Sequence, residues 1–169
     1  MLLTDIFGTS LSALIVWGFL MAFLFNLTMH FLTDKNYLNT IIVSFIVFFF
    51  YFIADDLANF SLVPNWFLNW ALYDLATIVL ITFSLKIFKQ SFNSAAYYIL
   101  IGLSCSTILF LTMHIDVEIL GNKVAWFLWD VFSYGGTLID LIMITALILN
   151  RDFLNAKSLM QNTRIKKSN

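Results

Sequence analysis

Five long apolar runs, separated by short polar links, limit this chain to very few folds. The runs cover residues 11–32, 39–60, 66–88, 94–114 and 124–149. A helix needs roughly 20 residues to cross about 30 Å of hydrocarbon, and every run reaches that length. Backbone groups in lipid must also be hydrogen-bonded within the protein, which favours helices. We therefore predict an all-α, polytopic membrane bundle of five transmembrane helices. Residues 1–149 would form its single domain, and residues 150–169 a basic cytoplasmic tail.

The composition supports a lipid environment and excludes several classes of partner. The chain is 61% hydrophobic and 11% charged, whereas soluble domains are about half apolar and about a quarter charged. A formal net charge of −1 gives no basic field for nucleic acid. The single cysteine, Cys105, excludes an intrachain disulfide framework. The lipid bilayer is thus the first partner that we predict.

Lysine and arginine residues predict the orientation of the bundle. With the C-terminus in the cytoplasm, eight of the nine basic residues fall on the inner side and only Lys123 falls outside. Cytoplasmic loops carry such an excess of positive charge. Five helices then place the N-terminus outside. We expect the membrane to be a bacterial plasma membrane.

Three aspartates lie inside the predicted helices: Asp74 in the third and Asp130 and Asp140 in the fifth. A charged side chain at the centre of a bilayer costs about 2.5–3.5 kcal/mol on insertion scales. Such residues usually face a bundle interior, a wet cavity or a partner. They are therefore the main functional candidates.

Other polar residues share faces with these aspartates at helical spacing. We predict an intramembrane polar pathway along the seam between the third and fifth helices, because steps of three and four residues lie on one helix face. Its predicted residues are Asn69, Tyr73, Asp74, Thr77, Asp130, Ser133, Thr137 and Asp140. If Asp74 and Asp130 face each other, repulsion between two carboxylates would favour a shared proton. The structural alternative is that the aspartates hold the bundle together through hydrogen bonds.

Two further groups are predicted from their positions. Four acidic residues near the outer ends of helices would form an outer acidic rim that concentrates cations, or would be idle surface charge: Asp55, Asp56, Asp116 and Glu118. Four small residues would allow close helix packing: Gly102, Ser106, Gly135 and Gly136.

The tail carries basic residues that are expected to contact either anionic headgroups or a cytosolic protein partner. These are Arg151, Lys157, Arg164, Lys166 and Lys167. His30 and His114 lie near opposite interfaces, so we predict no metal site from them. No Gly-rich phosphate loop or Gly-x-Ser-x-Gly elbow is found, and we predict neither an enzyme nor a bound cofactor.

Two functions remain open from the sequence. The first is a small homo-oligomeric membrane protein that forms an ion- or proton-conducting channel or transporter, with the aspartates lining its pathway. The alternative is a non-transporting sensor, anchor or immunity-type subunit. That subunit would assemble in the bilayer and recruit a cytosolic effector through the basic tail.

Overall fold

The structure, a computed structural model, describes residues 2–33, 37–56, 63–122, 124 and 126–150. For residues 2–10, 55 and 56 it describes the backbone only. Its five α-helices are α1 (Leu2–Leu32), α2 (Leu38–Asp56), α3 (Trp66–Ile87), α4 (Ser94–His114) and α5 (Phe127–Leu149). A π-helical turn, Ile115–Ile119, follows α4 directly. The described ranges contain no β-strand, and the predicted all-helical fold is confirmed.

Four of these helices are long and apolar enough to cross a membrane, which indicates an integral membrane protein. The candidate spans are Leu11–Leu32, Trp66–Ile87, Ser94–Ile119 and Phe127–Leu149. The apolar part of α2, Leu38–Ala54, is shorter and would extend about 26 Å at 1.5 Å per residue. The fifth span therefore stays a prediction.

Helix boundaries differ from the predicted ones at two places. α1 begins at Leu2 rather than at residue 11. α5 begins at Phe127, three residues later than predicted, because the backbone of Trp126 is extended (φ −140°, ψ −174°). The predicted end of the second helix, residues 57–60, lies outside the described residues.

The helices form a closed ring in chain order. Each helix packs against its neighbours in sequence, and α1 also contacts α5. Fully buried side chains fill the interior, among them Phe19, Val43, Ile81, Leu103 and Met143. Large apolar side chains such as Leu14 and Val79 are exposed instead. This distribution suits a bundle whose surroundings are hydrocarbon.

Asparagines join the helices at the end of the ring where α4 begins. The side-chain Oδ1 atom of Asn93 accepts a hydrogen bond from the backbone N–H of Ala96 at 2.9 Å and so caps α4. Its amide nitrogen donates to Thr40 Oγ1 at 2.7 Å and to Asn150 Oδ1 at 3.0 Å. One side chain therefore connects the start of α2, the start of α4 and the end of α5.

Asn26 connects the first helix to the last. Its side chain is fully buried, and its Nδ2 atom donates to the carbonyls of Ala22 at 2.8 Å and Leu147 at 3.0 Å. The second bond crosses from α1 to α5. An interhelical hydrogen bond of this kind contributes about 0.6 kcal/mol in measured cycles.

Candidate functional site

Asp74 and Asp140 line the same cavity inside the ring. The cavity has a volume of about 190 Å³, which is room for several water molecules. Side chains of α2, α3, α4 and α5 line it: Tyr51, Trp70, Asp74, Ser106, Leu109, Phe110, Phe132, Ser133, Gly136, Thr137 and Asp140. The two carboxyl groups are close enough to interact electrostatically. We call this space the central cavity.

Asp140 is held by a tyrosine from the opposite side of the ring. The Tyr51 hydroxyl donates to Asp140 Oδ1 at 2.6 Å, a short distance that is typical of a bond to a carboxylate. The ring of Tyr51 packs on Phe19 of α1, with 4.5 Å between ring centroids. The packing on α1 thus fixes the hydroxyl beside Asp140.

Asp74 is more deeply buried and is only partly satisfied. Its side chain is 5% exposed. The Ser106 hydroxyl lies near the carboxyl group, and the Oδ2 atom has no hydrogen-bond partner. Buried polar atoms nearly always have one. This oxygen is therefore free to bind a proton, a cation or a water molecule.

No basic side chain neutralises these carboxyl groups within the described part of the chain. The two described lysines, Lys86 and Lys89, are exposed at the C-terminal end of α3, and neither they nor His30 and His114 line the central cavity. A buried charge without a partner costs several kcal/mol. The central cavity is therefore electrostatically matched to positively charged species.

A second cavity of about 90 Å³ adjoins the first. It is lined by Ser12, Ile15 and Val16 of α1, and it shares Tyr51, Trp70 and Asp140 with the central cavity. These three shared side chains therefore lie at the junction of the two spaces. A movement of Tyr51 away from Asp140 would change the connection between them.

Aromatic rings form the apolar wall of the central cavity. Trp70 stacks on Phe110 with centroids 5.9 Å apart and an interplanar angle of 15°. Phe110 meets Phe132 edge to face, with centroids 5.5 Å apart. Contacts of this type contribute about 0.5–1.5 kcal/mol beyond their buried area. The three rings therefore support one another on one side of the carboxyl groups.

The structure brings together only some residues of the predicted polar pathway. Ser133, Thr137 and the two carboxyl groups line the central cavity. Three residues that were predicted to share this pathway on α3 do not line the central cavity: Asn69, Tyr73 and Thr77. The Thr77 hydroxyl instead donates to the Tyr73 carbonyl at 2.7 Å, and both side chains are buried.

Asp130 does not join the site. Its side chain is exposed, and it lines neither cavity. It lies three residues after the start of α5, about 4.5 Å along the axis, whereas Asp74 lies eight residues after the start of α3, about 12 Å along. Asp140, and not Asp130, lines the central cavity together with Asp74.

The predicted acidic rim also differs in the structure. Asp116 is 6% exposed. It accepts hydrogen bonds from Trp126 Nε1 at 2.9 Å and from Asn122 Nδ2 at 3.2 Å. It therefore fixes the link before α5 instead of presenting a free charge. Glu118 is exposed, and the side chains of Asp55 and Asp56 lie outside the described residues.

The predicted packing residues have different surroundings. A Cβ atom on Gly102 would lie 2.5 Å from Met143 Sδ, so α4 and α5 approach closely there. Ser106 is buried and lines the central cavity together with Asp74. A Cβ atom on Gly135 would make an ordinary contact of 3.8 Å with Leu109, and one on Gly136 would meet nothing within 4 Å. The open space at Gly136 belongs to the central cavity.

Three side chains of the central cavity were not predicted from the sequence: Tyr51, Phe110 and Phe132. Tyr51 had a usable signal, since it is the one polar side chain within the aromatic run from Phe48 to Phe52. The two phenylalanines had none, because the chain contains 19 of them.

Among the described residues, no group of three or more His, Cys, Asp or Glu side chains could hold a metal ion. The basic residues of the tail, from Arg151 to Lys167, lie outside the described residues.

No family model, no curated protein and no solved structure matches the chain. Its function must therefore be argued from the site itself.

Proposed function

We propose that this protein moves protons or small cations across a membrane and that Asp74 and Asp140 bind the transported charge. The observation that carries the proposal is the free Oδ2 atom of Asp74, in a side chain 5% exposed, beside a cavity that a second carboxyl group also lines. Intramembrane carboxyl groups commonly mark ion paths and proton relays.

The contacts suggest how a charge would pass through the site. A cation or proton on Asp74 would reduce the repulsion between the two carboxyl groups. The Tyr51 hydroxyl, now bonded to Asp140, lies at the junction with the second cavity and would open or close that route. Ser133 and Thr137, which also line the central cavity, supply hydroxyl oxygens that can replace part of an ion's hydration shell.

Five spans, with the N-terminus outside and the C-terminus inside, complete the proposal. The central cavity lies within one chain, so each copy in a homo-oligomer would contain its own site. Homo-oligomer formation and a cytosolic partner for the tail stay predictions from the sequence.

A cysteine-accessibility map tests this orientation. In a Cys105→Ser background, single cysteines near the two chain ends should react with a membrane-impermeant maleimide from opposite sides of the membrane. Labelling of both ends from one side would contradict the five-span arrangement.

Flux measurements in reconstituted vesicles test the function. We expect the wild-type protein to dissipate an imposed proton or potassium gradient faster than empty vesicles do. Asp74→Asn should slow this flux by about tenfold or more, since contacts to a charged group contribute about 1.5–3 kcal/mol. Equal rates in wild-type, Asp74→Asn and empty vesicles would refute the proposal.

A further inference from the structure

We infer that the central cavity binds a small organic ammonium ion, with Asp74 and Asp140 as the anionic side of the site and Trp70, Phe110 and Phe132 as its aromatic wall. The inference rests on the proposed function and names the class of cation that the same site prefers.

The two carboxyl groups on one side of the cavity favour a positive ligand. Asp74 carries a free carboxyl oxygen, and Asp140 lies close enough to interact with it electrostatically. Neither of the described lysines lines the cavity. A bound cation would compensate the charge of an ionised carboxyl group here, which a neutral ligand cannot do.

The aromatic wall distinguishes an organic ammonium from a hydrated metal ion. Trp70, Phe110 and Phe132 contact one another and line the cavity together. The ring quadrupole attracts cations, and quaternary ammonium groups are recognised by clusters of aromatic rings. Alkali-metal ions are normally bound by cages of oxygen atoms, whereas about half of this lining is apolar or aromatic. Methyl groups on a cation would fit against these rings.

The cavity volume limits the size of the ligand. Drug-sized molecules occupy pockets of roughly 300–1,000 Å³, whereas the central cavity has about 190 Å³. A compact cation such as tetramethylammonium therefore suits the space better than a large aromatic drug does.

Calorimetric titration of the purified protein in detergent with tetramethylammonium chloride tests the inference. We expect saturable binding that is at least about tenfold tighter than that of sodium or potassium. Neopentyl alcohol, a neutral compound of similar shape, should not bind. Asp74→Asn should abolish binding, and Phe110→Leu should weaken it about tenfold by removing one ring of the wall. Asp130→Asn, which alters an exposed carboxyl group, should bind like the wild type.

The outcomes separate this inference from the proposed function. Gradient dissipation without tetramethylammonium binding would overturn the inference and leave the proposed function standing. Tetramethylammonium binding that Asp74→Asn and Phe110→Leu both leave unchanged would also overturn it, because the ligand would then occupy another place. Helix content measured by circular dichroism identifies a variant that has not folded. Should Asp74→Asn fail to fold, the tetramethylammonium affinity of Phe110→Leu, compared with that of the wild type, decides whether the ligand occupies the central cavity.

Discussion

Asp140→Asn should lower proton or cation flux in reconstituted vesicles by about tenfold to a hundredfold, because it removes a negative charge worth about 1.5–3 kcal/mol to a bound cation. The fold should survive, since the asparagine side-chain oxygen can still accept the hydrogen bond that Tyr51 donates at 2.6 Å. The measurement is the initial rate of gradient dissipation at equal protein density.

Asp130→Asn is the matched control for this variant. It makes the same chemical change on the same helix, but at an exposed side chain that lines neither cavity. Flux through Asp130→Asn should stay within about twofold of wild type, since surface substitutions usually change energies by less than about 0.5 kcal/mol. If both variants lose flux equally, the loss does not depend on the position of the carboxyl group in the central cavity, and the role proposed for Asp140 is wrong.

Gly102→Val should destabilise the protein by about 1–3 kcal/mol, the usual cost of overpacking a filled core. Even a Cβ atom at this position would lie 2.5 Å from Met143 Sδ and 2.6 Å from Met143 Cγ. Met143 is fully buried, so it has little room to move away. The expected lower unfolding temperature can be measured by heating the detergent-solubilised protein and following its intrinsic fluorescence.

Two further variants test the cause of that loss. Gly136→Ala adds a methyl group where nothing lies within 4 Å, so it should leave stability unchanged or raise it by up to about 1 kcal/mol through helix propensity. Met143→Ala combined with Gly102→Val should restore part of the stability, because it removes the atoms that clash. An additive effect of the two substitutions would place the damage elsewhere.

The helical fold was predictable because it follows from a strong and simple constraint. Apolar runs that can cross hydrocarbon must satisfy their own backbone groups, and helices do so. That Asp74 and Asp140 would line an interior cavity was predictable for a related reason, since charge is costly in lipid and such residues usually face a bundle interior or a wet cavity.

Which side chains meet across the bundle was less predictable. A helix that is apolar on all sides gives little sign of which face turns inward, so the contribution of Phe110 and Phe132 could not be foreseen. The start of α5 at Phe127, after the extended backbone of Trp126, was also not predicted from the apolar run. The bond from Trp126 to Asp116 spans ten residues and is not visible as a periodic pattern.

The hydrogen bond from Asn26 to the Leu147 carbonyl has a consequence for biosynthesis. The first helix enters the bilayer with a buried amide whose interhelical acceptor is still to be made by the ribosome, because Leu147 is translated 121 residues later. Until α5 arrives, that amide has only the carbonyl of its own helix at Ala22. Assembly of this ring is therefore completed by the last helix, and chains truncated before α5 would keep a polar group directed at an unfilled side of the bundle.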